Sequence, residues 1–134
     1  MPNVKMTFIN LPVKDLNESI AFYTELGFKF NADFTDENAT CMILNETTFV
    51  MLLVEPFFKQ FLPASELPDY RKTTAVINAL TFDTRAEVDE LYEKAVNAGA
   101  KKGYLMDEQG MYSKSFYDIN GHIFELFHME MNPQ

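Results

Sequence analysis

The order of local signals in residues 5–54 recurs in residues 75–129. Residues 5–13 read as a strand. Asp15 can cap the helix that follows: Asp15-Leu16-Asn17-Glu18 resembles a capping box, and Leu16, Ile20, Phe22, Tyr23 and Leu26 form an apolar stripe at helical spacing. Gly27 is a stop signal. Strands are expected over 28–35, 39–45 and 48–54, with Asn45-Glu46-Thr47 as the last turn. In the second half, residues 75–83 read as a strand and Thr84 as a cap. A helix carrying Val88, Leu91, Tyr92, Ala95 and Val96 then ends at Gly99. Strands near 101–106, 111–117 and 121–129 follow. Phe8 aligns with Ile77, Asp15 with Thr84 and Gly27 with Gly99, so the second helix is three residues longer, close to one turn. The prediction is an α+β fold of two tandem βαβββ modules. Module one covers about 1–61, a linker with two prolines about 62–74, and module two about 75–134, in a single domain. Each module has too little core to stand alone, so the two should pair.

Charge narrows the partners. Twenty acidic residues against eleven basic ones give a net charge of −9, which argues against nucleic acid or an anionic membrane surface. Cys41 is the only cysteine, so no intrachain disulfide can form, and its apolar surroundings (Ala39 to Leu44) place it in the core. The N-terminus lacks the basic and apolar regions of a signal peptide, and no apolar run reaches transmembrane length. A soluble, cytoplasmic protein is expected. Thirteen Phe and eight Met without any Trp suggest a core or cavity with soft, aromatic walls.

The candidate chemistry lies in Tyr117-Asp118-Ile119-Asn120-Gly121-His122-Ile123-Phe124-Glu125-Leu126-Phe127. A turn feeds a strand that is nearly all apolar except for Glu125. A carboxylate there costs several kcal/mol unless it is paired, hydrogen-bonded, metal-bound or hydrated. Alternation puts Ile123, Glu125, Phe127 and Met129 on one face and His122, Phe124, Leu126 and His128 on the other. The His-x-x-Glu-x-x-His pattern therefore does not close a metal site, because Glu125 points away from both histidines, which lie about 20 Å apart. His122 is expected to support the hairpin. On the preceding strand, Ser113, Ser115 and Tyr117 alternate with Lys114 and Phe116, and a Lys114–Glu125 pair is one possibility. Phe57, Phe58, Phe61 and Leu62 read as ordinary core, or else as a lid over a cavity mouth or a dimer contact.

Two segments carry a family resemblance. Leu11-Pro-Val-Lys-Asp15-Leu-Asn-Glu-Ser19-Ile-Ala-Phe22-Tyr23-Thr-Glu-Leu-Gly27 and Asp118-Ile-Asn-Gly121-His-Ile-Phe-Glu125-Leu resemble the vicinal oxygen chelate superfamily, which includes glyoxalase I, extradiol dioxygenases and the fosfomycin- and bleomycin-resistance proteins. The resemblance implies paired modules whose mixed sheet curls into a cup, and often a homodimer. Metal-dependent members hold a divalent ion on the cup floor with a His or Gln, a His and a Glu. Carried over by position, the Glu is Glu125, but the other two places fall on Phe8 and Ile77, and a fourth falls near Met51. Hydrocarbon donates no lone pair, and a thioether suits hard ions poorly.

A small-molecule ligand is therefore expected in a cavity lined by Phe8, Asn10, Phe49, Met51, Ile77, Ala79, Ile123, Glu125 and Phe127, with Glu125 as polar anchor or catalytic base. Leu53 and Thr81 also face it. No cofactor is expected, and no metal site. The alternative is a divalent-metal-dependent, glyoxalase-like lyase or isomerase, or a dioxygenase-type enzyme, that uses Glu125.

Overall fold

The structure, a computed structural model, describes residues 1–64 and 66–130. It divides into two compact units, Met1–Pro68 and Asp69–Gln134. Each is a four-stranded mixed sheet with a helix on one face.

In the first unit, strand β1 (Thr7–Val13) leads to helix α1 (Leu16–Glu25), then to β2 (Lys29–Phe30), β3 (Ala39–Ile43), β4 (Thr48–Val54) and the short helix α2 (Glu55–Lys59). The sheet order is β1-β4-β3-β2, with β1 parallel to β4 and the other pairs antiparallel. Asp15 starts α1 as expected: its side chain accepts the Glu18 N–H at 3.0 Å. Ser19, Phe22 and Tyr23 of α1 are buried, and the helix packs on β3 and β4. Val50, Leu52, Met42 and Thr40 are fully buried on that side of the sheet. Cys41 is buried too, and burial pushes its thiol pKa up, as suits a core residue rather than a reactive thiolate.

The strand expected over 28–35 stops at Phe30. A 3-10 turn takes Ala32–Phe34 instead, because Asn31 accepts the Asp33 N–H and Asp36 accepts those of Asn38 and Ala39. Short polar side chains that bond their own backbone compete with a sheet ladder, and here they win.

The second unit repeats the plan: β5 (Ile77–Thr81), α3 (Arg85–Asn97), β6 (Lys101–Glu108), β7 (Met111–Tyr117) and β8 (Ile123–Met129), in the order β5-β8-β7-β6. Thr84 caps α3 through the Glu87 N–H, and α3 has 13 residues against the 10 of α1. Val88, Tyr92 and Ala95 of α3 are buried on the side where Phe116, Phe124 and Leu126 disappear from solvent. Phe116 and Phe124 stack at 5.8 Å, each burial contributing about 2 kcal/mol. β6 carries a bulge: Gly103 and Tyr104 lie opposite the single residue Ser115.

The β7–β8 turn is built on Asp118. Its buried carboxylate accepts the N–H groups of Asn120, Gly121 and His122, each at 2.9 Å. Residues 69–74, part of the expected linker, lie against this turn. Tyr70 stacks on His122 at 4.6 Å, and Arg71 donates to the Ile119 carbonyl at 3.3 Å.

Candidate functional site

Register decides which side chains share a face. In the second unit Ala79, Glu125 and Ser115 form one cross-strand row, flanked by the rows Ile77–Ile123–Tyr117 and Thr81–Phe127–Ser113. All lie on the face opposite α3. Of the expected site residues, Ile77, Ala79, Ile123, Glu125 and Phe127 are thus brought together. The face is open: Ala79 and Thr81 are exposed, and Ile77 is 59% exposed.

Glu125 is partly exposed, and the Ser113 hydroxyl donates to its Oε2 at 3.1 Å. The carboxylate thus escapes the desolvation cost of an isolated buried acid. Ser113 was one of several polar candidates on β7. Alternation alone grouped it with Ser115 and Tyr117 but left open which set met Glu125, and pairing with β8 settles it. The neighbouring Ser115 hydroxyl is engaged elsewhere. It accepts the Tyr104 N–H at 2.7 Å and fills the bulge at Gly103.

Lys114 does not pair with Glu125. It lies on the α3 side, 2.9 Å from Asp89, over the rings of Tyr92 and Tyr112. Odd and even residues of β7 face opposite ways, which rules out the pair suggested by charge alone. Tyr112 donates to the same Asp89 carboxylate. That hydrogen bond, then Lys114, holds the Asp89 pKa below its usual range, and Asp89 in turn raises the pKa of both partners. This cluster ties α3 to β7.

In the first unit Phe8 pairs with Phe49, Asn10 with Met51 and Pro12 with Leu53. Phe8 and Phe49 stack at 5.0 Å, and Phe8 is 47% exposed. The expected residues Phe8, Asn10, Phe49 and Met51 therefore share one face. A pocket of about 350 Å³ lies beside them, lined by Asn10, Leu53, Phe58, Phe61 and Leu62. The aromatic cluster of residues 57–62 is consequently not ordinary core. No residue of α2 is buried, and Phe61 is 64% exposed. A five-residue helix cannot cover its own aromatic side chains, so they form a pocket wall.

The two modules correspond closely in register. Residue 10 pairs with Met51, and its counterpart Ala79 pairs with Glu125. Met51 therefore holds in the first unit the place that Glu125 holds in the second.

A metal does not fit this donor set. Beside Glu125 stand Ala79, Ser115, Ile123 and Phe127, and none supplies an imidazole or a second carboxylate. Among the described residues no three His, Cys, Asp or Glu side chains cluster to hold an ion. His128 turns to the Phe82 carbonyl at 3.0 Å, and His122 to the Tyr70 ring.

Comparison with known proteins agrees with this architecture. The bleomycin resistance protein-like N-terminal family matches residues 5–45. A hypothetical protein from S. aureus is 30% identical, with a TM-score of 0.76 over 96% of this chain and 95% of its own. A glyoxalase/bleomycin resistance protein/dioxygenase family enzyme from Burkholderia phytofirmans PsJN superposes at TM-score 0.79, covering 96% of this chain and 100% of its own at 16% identity. The chain belongs to the vicinal oxygen chelate superfamily. A further likeness is the genomically encoded fosfomycin resistance protein from Listeria monocytogenes, solved with Mn(II) and sulfate. It is 19% identical over 98% of this chain and 93% of its own, with a TM-score of 0.67, a likeness of fold. No curated protein matches the chain. Among the described residues, no helix of this superfamily member is long and apolar enough to cross a membrane.

Proposed function

We propose that this superfamily member binds a small apolar or aromatic molecule without a metal, and that Glu125 anchors it. The observation that carries this reading is the row Ala79–Glu125–Ser115 with Ile77, Ile123 and Phe127 around it. One acid, oriented by a serine, stands on an otherwise apolar, open sheet face. Apolar surface supplies affinity, and a single fixed polar group supplies orientation. An acid anchor favours a ligand carrying a cation or a hydrogen-bond donor. The N-terminal likeness to bleomycin-resistance-type proteins supports a binding role. The same reading takes the protein as a cytoplasmic homodimer, which light scattering of the purified chain tests.

The deciding experiment uses two aromatic probes, the cation acridine orange and neutral 2-naphthol, titrated against wild type and Glu125→Gln. Binding is followed by probe fluorescence. The expected result is about tenfold weaker binding of the cation, ~1.4 kcal/mol, with the neutral probe unchanged. Equal affinities of the two proteins for acridine orange would remove Glu125 as the anchor. One tightly held divalent ion per purified chain would replace this reading with the metal-dependent one.

A further inference from the structure

A second concavity lies away from Glu125, at the end of the second unit where the β7–β8 turn meets residues 69–74. Its volume is about 480 Å³, within the range of small-molecule clefts. Arg71, Lys72 and Lys101 all line it. The chain has only eleven basic residues against twenty acidic ones, so three cations around one hollow run against its overall composition. One carboxylate, Asp118, is also in the wall, giving three positive charges less one negative, a formal +2. Asp118 is committed to the turn, its Oδ1 accepting three backbone N–H groups.

The cations are placed by the fold. Gly121 has φ +107°, and a Cβ there would sit 2.8 Å from the Tyr70 carbonyl oxygen and 3.0 Å from the Arg71 Cα. Only glycine lets that backbone lie so close to the turn. Tyr70 is stacked on His122, and the Arg71 guanidinium bonds the Ile119 carbonyl, a neutral partner. Lys101 leaves β6 over the Tyr117 ring at 5.5 Å. Lys72 meets Asp69 at a loose 3.9 Å between two exposed side chains.

We propose that this pocket binds a small phosphate dianion. A guanidinium fork matches phosphate oxygens in pairs, and lysines add point charges, which together suit a dianion better than a single carboxylate. Ile119 and Tyr117 offer an apolar wall beside the cations, which suits the organic part of a phosphomonoester. The inference is independent of the role of Glu125.

The test titrates the full chain with phenyl phosphate and with inorganic phosphate, following backbone amide shifts by NMR. Saturable shifts are expected at Gly99, Lys101, Ile119 and Gly121. They should weaken as salt is raised, and Lys101→Gln or Arg71→Gln should lower affinity about tenfold. Tighter binding of phenyl phosphate identifies an organic ester as the natural occupant. Equal binding identifies the free ion, and either outcome supports the site. Shifts that do not saturate by about 10 mM, or that survive Lys101→Gln unchanged, overturn it. Lys101 is an exposed strand residue, so its variant keeps the test valid if Arg71→Gln disturbs the turn.

Discussion

Glu125 and Asp118 are two acids seven residues apart with opposite duties. Asp118 is buried and spends its carboxylate on three backbone N–H groups. Glu125 is partly exposed and takes one hydroxyl. Asp118→Ala should therefore cost on the order of 2 kcal/mol in denaturant unfolding, because the turn donors lose a charged acceptor. Ser113→Ala should leave stability within about 1 kcal/mol of wild type but weaken binding of acridine orange, since it frees a partly solvated carboxylate from one bond. The standing of Glu125 as the odd polar residue in its strand was legible in sequence. That Ser113 rather than Ser115 holds it was not, because the bulge at Gly103 draws Ser115 to the backbone of Tyr104. Bulges shift pairing by one residue, and no local pattern marks this one beyond a glycine.

Caps and stops were the most readable elements. Asp15 and Thr84 both cap through the N–H three residues on, and Gly27 and Gly99 have φ of +100° and +112°. The segment after Phe30 departs from its strand pattern, because Asn and Asp side chains outcompete the ladder there. At Gly121 the positive φ and the close Tyr70 carbonyl predict that Gly121→Ala destabilises the second unit by about 2 kcal/mol. The α3–β7 cluster predicts the pH response. Asp89 has a lowered pKa, chiefly through the Tyr112 hydrogen bond, so its contribution is present above the unfolded carboxylate range and is lost as acid takes the pH below about 4. Tyr112 and Lys114 have raised values, first through Asp89. Their contribution is present below the unfolded values and is lost as the pH rises beyond about 10. Thermal melts of Tyr112→Phe across that range should show a flatter profile than wild type at both ends.

At the scale of the molecule, the tandem βαβββ plan was legible because its signals are local and occur twice. The open pocket beside Phe58 and Phe61 was not, since aromatic spacing looks the same in a core and in a pocket wall. The donor set around Glu125 predicts that dialysis against EDTA leaves both the melting temperature and acridine orange affinity unchanged. A fall in either would show a resident ion contributing to the fold or the site. The matched positions of Met51 and Glu125 have a broader meaning. The two units repeat one backbone plan, and of these two matched places one carries a thioether and the other a carboxylate. Exchanging the residues at 51 and 125 would move the carboxylate to the other half, onto a strand of matching register.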